Sequence, residues 1–355
     1  MSSRLSQMTG AQGEEAPAAR RLRLAPVAAA YGVFCLLLIG VAVLAARYHA
    51  SVSAQLTESA ITRHVDLAQL AAATLSERLD RMADLSVSLA TRVRFAELVA
   101  AGNWEAAVAI LDRVPEEFAH VERVFLADVH GTLMADVPPL PGVRGRNFAS
   151  RDWYAGVSRA WKTHISTVYR RAAEPQRNVI AVSTPVRARP GAGPAGILVA
   201  QLSLEAFFDW ASDIDLSRGM RLSVSDAKGQ AAYASGVPVQ SPIGDLTGNP
   251  GVKRLRENRA GAQIAADAAG EERLYAFAPA SHGWGVVIEQ PARDAFAARD
   301  TQLRSIQVAY ASVALLLAAL AGLAVRAGKQ KRVELERARR SLARWRAKPP
   351  RCWTC

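Results

Sequence analysis

The chain has 355 residues, a formal net charge of +12, and hydrophobic residues at half of its positions. A disordered basic protein would be poor in apolar residues, so this composition excludes that class. A nucleic-acid-binding protein and a membrane protein with basic ends both fit the totals, and the position of the charge along the chain distinguishes them.

Two apolar segments stand out from the mixed sequence around them. Residues 25–46 and 306–325 contain no Asp, Glu, Lys or Arg over 22 and 20 positions. A helix needs about 20 apolar residues to cross the hydrocarbon core of a bilayer, whereas the apolar region of a signal peptide has only ~7–15. Both segments are therefore predicted to be transmembrane helices in contact with the lipid bilayer.

The basic residues in excess lie at the two ends of the chain. Residues 1–24 carry four Arg and two Glu, and residues 326–355 carry eleven Lys or Arg and two Glu, which leaves 29 basic and 28 acidic residues for the rest. Basic flanks mark the cytoplasmic side of a membrane protein. We therefore expect a two-pass protein of a bacterial inner (plasma) membrane, with both termini cytoplasmic, residues 47–305 in the periplasm, and no nucleic acid partner.

Motifs for metal, redox or nucleotide chemistry are weak. Cys352-Trp-Thr-Cys355 is a C-x-x-C at the chain end, without the folded surroundings or the second ligand pair that such a site needs. The six histidines show no metal-binding spacing. Gly191-Ala-Gly193-Pro-Ala-Gly196 matches a dinucleotide-binding pattern, but a strand is predicted after it where a helix is required. The sequence thus predicts no metal, no cofactor and no catalytic residue, and hence no enzyme.

The exported segment is predicted to be an α+β fold. Apolar residues recur at three- to six-residue steps over 47–101, without proline or glycine, which predicts one long stalk helix. Two α+β units follow, over about 104–215 and, smaller, about 216–291, each with a strand–turn–strand, a helix and further antiparallel strands. A closing helix over 292–305 leads into the second membrane helix.

Five sequence strings in this segment are informative when taken in order. They are Asp128-Val-His-Gly131, Arg146-Asn-Phe-Ala-Ser-Arg-Asp-Trp-Tyr154, Ile165-Ser-Thr-Val-Tyr169, Val179-Ile-Ala-Val-Ser-Thr-Pro-Val186 and Gly196-Ile-Leu-Val-Ala-Gln-Leu-Ser-Leu204. Together they resemble a double Cache domain. This domain is the extracytoplasmic sensor of bacterial chemoreceptors, histidine kinases and diguanylate cyclases. The resemblance covers about residues 50–300 and implies two PAS-like subdomains with antiparallel sheets, one membrane-distal and one membrane-proximal.

The resemblance also implies a ligand site in the membrane-distal unit. In amino-acid-sensing members, an Arg-x-Trp-Tyr run and a later Tyr hold the ligand, and here Arg151, Trp153, Tyr154 and Tyr169 occupy those positions. The guanidinium and the aromatic donors would meet the ligand's carboxylate.

Two aspartates that hold the ligand's ammonium group in those members are replaced here. Arg171 and Gln201 stand at their positions. An ammonium group beside Arg171, with no carboxylate nearby, would be repelled. We therefore expect no binding of free α-amino acids, and a small carboxylate-bearing anion, such as a dicarboxylate, as the ligand.

Each of these positions also has a purely structural interpretation. Arg151 could be solvated in the first turn of its helix, and Trp153 could be a core residue. Tyr169 shares a strand face with Ile165 that could belong to the core. Arg171 could point to solvent from a loop.

The C-terminal segment predicts the start of a signalling coiled coil, which Pro349-Pro350 would end. Its apolar residues step by three, four and three, at Leu335, Ala338, Leu342 and Trp345. No effector sequence follows, so we expect either a truncated or shifted reading frame or a sensor subunit with a separate cytoplasmic effector.

The combined prediction is a homodimeric transmembrane receptor, the sensor portion of a histidine kinase. The sensor portion of a diguanylate cyclase or of a chemoreceptor is an alternative. A membrane-anchored periplasmic enzyme is a further alternative of a different class, which would need a nucleophile–base pair.

Overall fold

A computed structural model describes the backbone of residues 18–346 and the side chains of residue 32 and residues 34–344. Residues 1–17 and 347–355, with Pro349-Pro350 and the C-x-x-C motif, lie outside the described residues, as does the side chain of Trp345. The chain divides into two units. One contains the residues up to Leu56 and from Ala298 onward, and the other is Thr57–Ala297.

Ten α-helices occur in the described residues. They are α1 (Ala18–Ala90), α2 (Val93–Ala100), α3 (Trp104–Ala109), α4 (Val114–Glu117), α5 (Asp152–Ala160), α6 (Leu204–Phe207), α7 (Asp209–Ser212), α8 (Pro250–Arg256), α9 (Ala292–Ala295) and α10 (Ala297–Arg346). One 3-10 turn spans Ser281–Gly283.

Eleven strands accompany them in the same part of the chain. They are β1 (Val121–Ala127), β2 (Leu133–Val137), β3 (His164–Ile165), β4 (Tyr169–Arg170), β5 (Asn178–Val186), β6 (Gly196–Ser203), β7 (Arg221–Ser225), β8 (Ala231–Ala234), β9 (Gly261–Ala266), β10 (Glu272–Pro279) and β11 (Gly285–Pro291).

The first unit consists of the N-terminal part of α1 and nearly all of α10. The described parts of these two helices are long and apolar enough to cross a membrane. Their apolar side chains are largely exposed, Leu36 and Leu315 among them. Exposed leucines at this density are typical of a surface that faces lipid.

The second unit contains two antiparallel sheets. The first sheet has the strand order β2-β1-β6-β5-β3, with β4 also paired to β5, and the second has the order β8-β7-β11-β10-β9. Every strand pairing is antiparallel. The predicted α+β class is therefore confirmed. We call the part with β1–β6 the first subdomain and the part with β7–β11 the second subdomain.

One face of α1 packs against both subdomains. Leu75 and Leu79 are fully buried in an apolar cluster that also contains side chains of both sheets. Ser86 Oγ lies 2.8 Å from Thr184 Oγ1 of the first subdomain, and Ser76 Oγ accepts a 2.9 Å hydrogen bond from the Ser281 amide of the second. The buried leucines explain the apolar periodicity of this stretch of sequence.

Two of the predicted helices are divided in the structure. The stalk predicted over 47–101 ends at Ala90, and α2 begins at Val93 after Arg92 adopts an extended backbone conformation. The Thr91 hydroxyl donates to the Val87 carbonyl at the end of α1. The closing helix predicted over 292–305 is likewise interrupted, at Phe296. Neither break contains a glycine or proline, so the sequence carries no ordinary stop signal.

The single strand that the sequence predicts for Ile165 and Tyr169 is divided into β3 and β4. The intervening amides leave the sheet because two carboxylates accept their hydrogen bonds. Thr167 N donates to Asp152 Oδ2 at 2.8 Å, and Val168 N donates to Asp226 Oδ2 at 3.0 Å. These tertiary contacts outweigh the local preference for an uninterrupted strand.

Candidate functional site

A cavity lies between the first sheet and the segment that leads into α5. About 360 Å³ of space within it, including solvent at its open mouth, is free of protein atoms. The lining residues are Arg123, Phe125, Leu133, Val143, Phe148, Arg151, Trp153, Tyr169, Arg171, Ala172, Ala173 and Gln201.

Two polar side chains from central strands form part of the lining. Arg123 on β1 is directly opposite Gln201 on β6 in the antiparallel register. Phe125 follows two residues after Arg123, on the same face of the strand, and lies beside Trp153 with ring centroids 5.4 Å apart. The strand alternation thus places an arginine and an amide next to each other on an otherwise apolar surface.

The structure brings five of the six predicted site residues to this cavity. Trp153 is 2 % exposed and lies on the cavity wall. Tyr154 is not part of the lining, because its hydroxyl donates to the Val129 carbonyl at 2.9 Å. Arg151 is the extended N-cap of α5, so the i, i+3 spacing of Arg151 and Tyr154 does not place the two side chains on one helix face.

Arg151 and Tyr169 form one wall of the cavity. The guanidinium carbon of Arg151 lies 5.6 Å from the centre of the Tyr169 ring. Its Nη1 donates to the Arg170 carbonyl at 3.5 Å, and no ion pair with a carboxylate is found for it among the side chains that the structure describes. Burial raises the pKa of Tyr169 to about 12, so the phenol remains protonated. The Tyr169 oxygen accepts a 3.0 Å hydrogen bond from Gln201 Nε2.

Arg171 lines the cavity, and each of its three guanidinium nitrogens already donates to a protein acceptor. It is 6 % exposed, which corrects the interpretation that it points to solvent. Nη1 donates to Glu122 Oε1 at 2.7 Å, and Nη2 donates to the Pro175 carbonyl at 2.5 Å. Nε donates to the Ala173 and Pro175 carbonyls. The charge of Arg171 is therefore balanced by a protein carboxylate.

Arg123 is the cavity residue that sequence reasoning missed. It is 4 % exposed and forms an ion pair with Asp136 of β2. Burial would raise the pKa of the Asp136 carboxyl, but hydrogen bonds from Arg144 and the Leu140 amide, together with Arg123, lower it. The sequence did carry a signal for this residue, because Glu122 and Arg123 are adjacent charged residues in the otherwise apolar strand β1.

The cavity is adjacent to the contact between the two subdomains. Val168 precedes Tyr169 and donates its amide proton to Asp226, which lies in the β7–β8 turn of the second subdomain. Asp226 is 2 % exposed, and burial raises the pKa of its carboxyl. A displacement of Tyr169 would therefore be transmitted to the second subdomain through the preceding residue, Val168, and its hydrogen bond to Asp226.

A second contact of this kind involves Asp152, in the first turn of α5. His164, with Nε2 3.6 Å from the carboxylate, the Thr167 amide and Lys228 hold the pKa of Asp152 well below its usual range. Lys228 belongs to the second subdomain, and its Nζ lies 2.9 Å from Asp152 Oδ1. The N-terminus of α5 is thus connected to both the cavity and the second subdomain.

No metal site emerges from the described part of the chain. Within it, no group of three or more His, Cys, Asp or Glu side chains is placed to hold an ion. The chemistry available in the cavity is that of guanidinium, amide and phenol groups.

A two-subdomain fold with a partly enclosed cavity, preceded and followed in the chain by helices that can cross a membrane, defines a sensor module of the kind found in transmembrane receptors. Residues 49–299 match the family model of the Cache domain, in its double form. The chain belongs to the Cache domain family, and its predicted membership is confirmed.

Solved structures show the same fold at low sequence identity. The ligand-binding domain of the amino acid chemoreceptor PctB of Pseudomonas aeruginosa PAO1, in complex with L-Gln, is 18% identical with a TM-score of 0.52, and the alignment covers 72% of this chain and 98% of that one. The extracellular domain of mmHK1S-Z3, described as a histidine kinase, is 15% identical with a TM-score of 0.54, covering 67% and 97%. No curated protein matches the chain.

Proposed function

We propose that this chain is the sensor portion of a receptor that binds a small carboxylate-bearing anion in the cavity of the first subdomain. The observation that carries the proposal is the charge of the lining, which contains three arginines and no carboxylate. Two of them are paired with buried or half-buried acids behind the wall, and Arg151 is not. A guanidinium fork binds a carboxylate through two parallel hydrogen bonds.

The proposal excludes free α-amino acids as ligands. Gln201 and Arg171 occupy the positions that would have to hold an ammonium group, and neither carries a negative charge. Glu122 is engaged with Arg171 and Arg177 and is not among the lining residues. An ammonium group in this cavity would lose its hydration without gaining a counter-charge. The amino acid bound by PctB is a property of that receptor.

The proposed orientation places residues 47–305 in the periplasm and both termini in the cytoplasm of a bacterial inner membrane. It rests on the basic flanks of the two apolar segments and on the near-neutral region between them. Residues 47–305 contain no cysteine, so a periplasmic domain would form no disulfide of its own.

The proposed output is a conformational signal passed through α10 in a homodimer. This helix continues without interruption from Ala297 to Arg346, past the apolar segment and along the seam of Leu335, Ala338 and Leu342. A histidine kinase, in the same chain or as a separate cytoplasmic effector, is the proposed recipient, with a diguanylate cyclase or a chemoreceptor signalling domain as the alternative. The ligand can act only through different affinities for two states of the receptor.

The test is calorimetric titration of the full-length chain in nanodiscs. We expect short carboxylates to bind and alanine or glutamine not to bind. Arg151→Gln should weaken carboxylate binding at least tenfold, because it removes the lining guanidinium that has no carboxylate partner among the described side chains. Arg146→Gln is the matched control, since Arg146 is an exposed residue of the same loop outside the cavity. Amino acid binding as tight as carboxylate binding, or equal effects of the two variants, would contradict the proposal.

A further inference from the structure

We infer that the ligand is a short hydroxymonocarboxylate, with its carboxylate at Arg151 and its hydroxyl between Arg123 and Gln201. This inference rests on the proposed function, because it concerns the same cavity. It goes further by fixing the number of charges on the ligand and the neutral group that the cavity recognises.

The charge balance of the cavity favours a single negative charge on the ligand. Arg123 is paired with Asp136, and Arg171 is paired with Glu122. Arg151 alone among the three lining arginines has no ion pair within the described residues. One carboxylate neutralises it. A second carboxylate would have to compete with Asp136 or Glu122 for an arginine and would be repelled by the acid that it displaces.

Two buried polar atoms of the lining residues lack hydrogen-bond partners in the described structure. They are Arg123 Nε, a donor, and Gln201 Oε1, an acceptor. The two side chains are only 4 % and 3 % exposed, and they lie directly opposite each other on β1 and β6. Directly opposed residues of an antiparallel pair have Cβ atoms about 5 Å apart, so the two side chains begin next to each other on the sheet face. We place one ligand group between their free atoms.

A hydroxyl group is the simplest group that satisfies both atoms. Its oxygen accepts from Arg123 Nε, and its proton is donated to Gln201 Oε1. A methyl group satisfies neither atom, and a carboxylate supplies acceptors only. An ammonium group supplies donors only and carries the same charge as Arg123. Since buried polar atoms without partners are costly, the cavity should discriminate strongly for the hydroxyl.

The Gln201 amide is oriented with its nitrogen toward Tyr169. Gln201 Nε2 donates to the Tyr169 oxygen at 3.0 Å, which leaves Oε1 as the free end. The reverse orientation would present the NH2 group and would select a ligand with acceptors only, such as a keto acid or a dicarboxylate. The ligand series below distinguishes the two orientations.

The Tyr169 side chain contacts the residues at both proposed ends of the ligand. The Arg151 guanidinium lies 5.6 Å from the centre of the Tyr169 ring, and the hydroxyl of the same ring accepts a hydrogen bond from Gln201 Nε2. The hydroxyl of lactate is on the carbon next to the carboxylate, and that of 3-hydroxybutyrate is one carbon further away. These two acids therefore probe two separations of the carboxylate and the hydroxyl.

The experiment is titration of the full-length chain in nanodiscs with two matched series of ligands. Lactate, alanine, propanoate and pyruvate share a three-carbon skeleton and differ at one group, and 3-hydroxybutyrate and butyrate form a second pair. Succinate supplies a second carboxylate. We expect the hydroxy acid of at least one series to bind at least tenfold more tightly than its analogue without the hydroxyl and than succinate.

Variants at Gln201 test the assignment of the acceptor. Gln201→Leu should reduce the preference for the hydroxyl to less than threefold, and Gln176→Leu, an exposed change of the same kind, should leave it intact. Gln201→Glu keeps the shape and adds a negative charge, so it should shift the ratio of lactate to alanine affinity at least tenfold toward alanine. This second variant provides a readout if Gln201→Leu fails to fold.

The possible outcomes of these titrations distinguish this inference from the proposed function on which it rests. Tighter binding of a keto acid, a dicarboxylate or the analogue without the hydroxyl would overturn the inference and leave the anion receptor intact. A complete lack of carboxylate binding, or the tightest binding for alanine, would overturn both.

Discussion

Replacing Asp136 with asparagine tests whether the charge of Arg123 is held by a buried pair. The Asp136 side chain is fully buried and meets two guanidinium groups, those of Arg123 and Arg144, the latter through Nε at 2.5 Å. It also accepts a 2.7 Å hydrogen bond from the Leu140 amide. Asp136→Asn conserves the shape and removes the negative charge, which leaves Arg123 buried without a counter-charge.

The expected loss of stability follows from these contacts. Hydrogen bonds to charged groups contribute about 1.5–3 kcal/mol and neutral ones about 0.5–1.5, so weakening two of them costs roughly 2–3 kcal/mol. Breaking a fully buried pair costs about 3–5 kcal/mol. Because Arg144 is partly exposed and also bonded to Glu105, solvent screens its share. We expect a loss of about 3 kcal/mol, or roughly 6–12 °C in Tm for a unit of this size.

The assay is thermal and denaturant unfolding of the full-length chain in detergent, followed by near-ultraviolet circular dichroism. The control is Glu77→Gln, which removes an exposed ion pair with Arg81 and should cost less than about 0.5 kcal/mol. Joint replacement by Arg123→Met and Asp136→Leu should recover most of the loss, because no unpaired charge remains. A loss for Asp136→Asn no larger than that of the control would refute the reasoning.

The pH dependence gives an independent check of the same pair. The pKa of Asp136 is lowered in the folded chain. Its contribution is therefore fully present above the unfolded pKa, about 3.9, and is lost as the pH falls through the lower folded value. The stability difference between the natural chain and Asp136→Asn should be constant from about pH 5 to 8 and should shrink only in stronger acid.

Two further predictions concern packing, each with a matched control and with unfolding as the measurement. A Cβ at Gly156 would lie 2.0 Å from the His164 ring, so Gly156→Ala should destabilise by about 1 kcal/mol despite the gain in helix propensity. Gly193→Ala meets no atom within 4 Å and should be neutral or slightly stabilising. Leu75→Ala, at a fully buried position of α1, should cost about 2–5 kcal/mol. Leu70→Ala, at a residue that is 66 % exposed, should change stability by less than about 0.5 kcal/mol. Equal effects within either pair would show that the packing described for α5 or α1 is wrong.

The elements that local pattern specifies were predictable from the sequence. The long apolar segments, the order of helices and strands, and the two antiparallel sheets follow from periodicity and turn signals, which depend on neighbours in the chain. The division of residues 164–170 into β3 and β4 did not follow, because it is caused by Asp152 and Asp226, which are distant in sequence. The break between α1 and α2 was also not predictable, because no glycine or proline lies there.

The free charge in the cavity shows why the candidate site was only partly predictable. Position alone suggested Arg151 and Arg171 as anion-binding groups, but folding supplies Arg171 with Glu122 as a partner. Glu122 and Arg123 are neighbours on β1, yet they pair with different residues, Arg171 and Asp136. The electrostatic character of a pocket depends on which charges find partners in three dimensions, and a count of arginines cannot supply it. A site with one guanidinium unpaired among the described side chains differs from a site with three, and this difference is the basis of our inference of a monocarboxylate rather than a dicarboxylate.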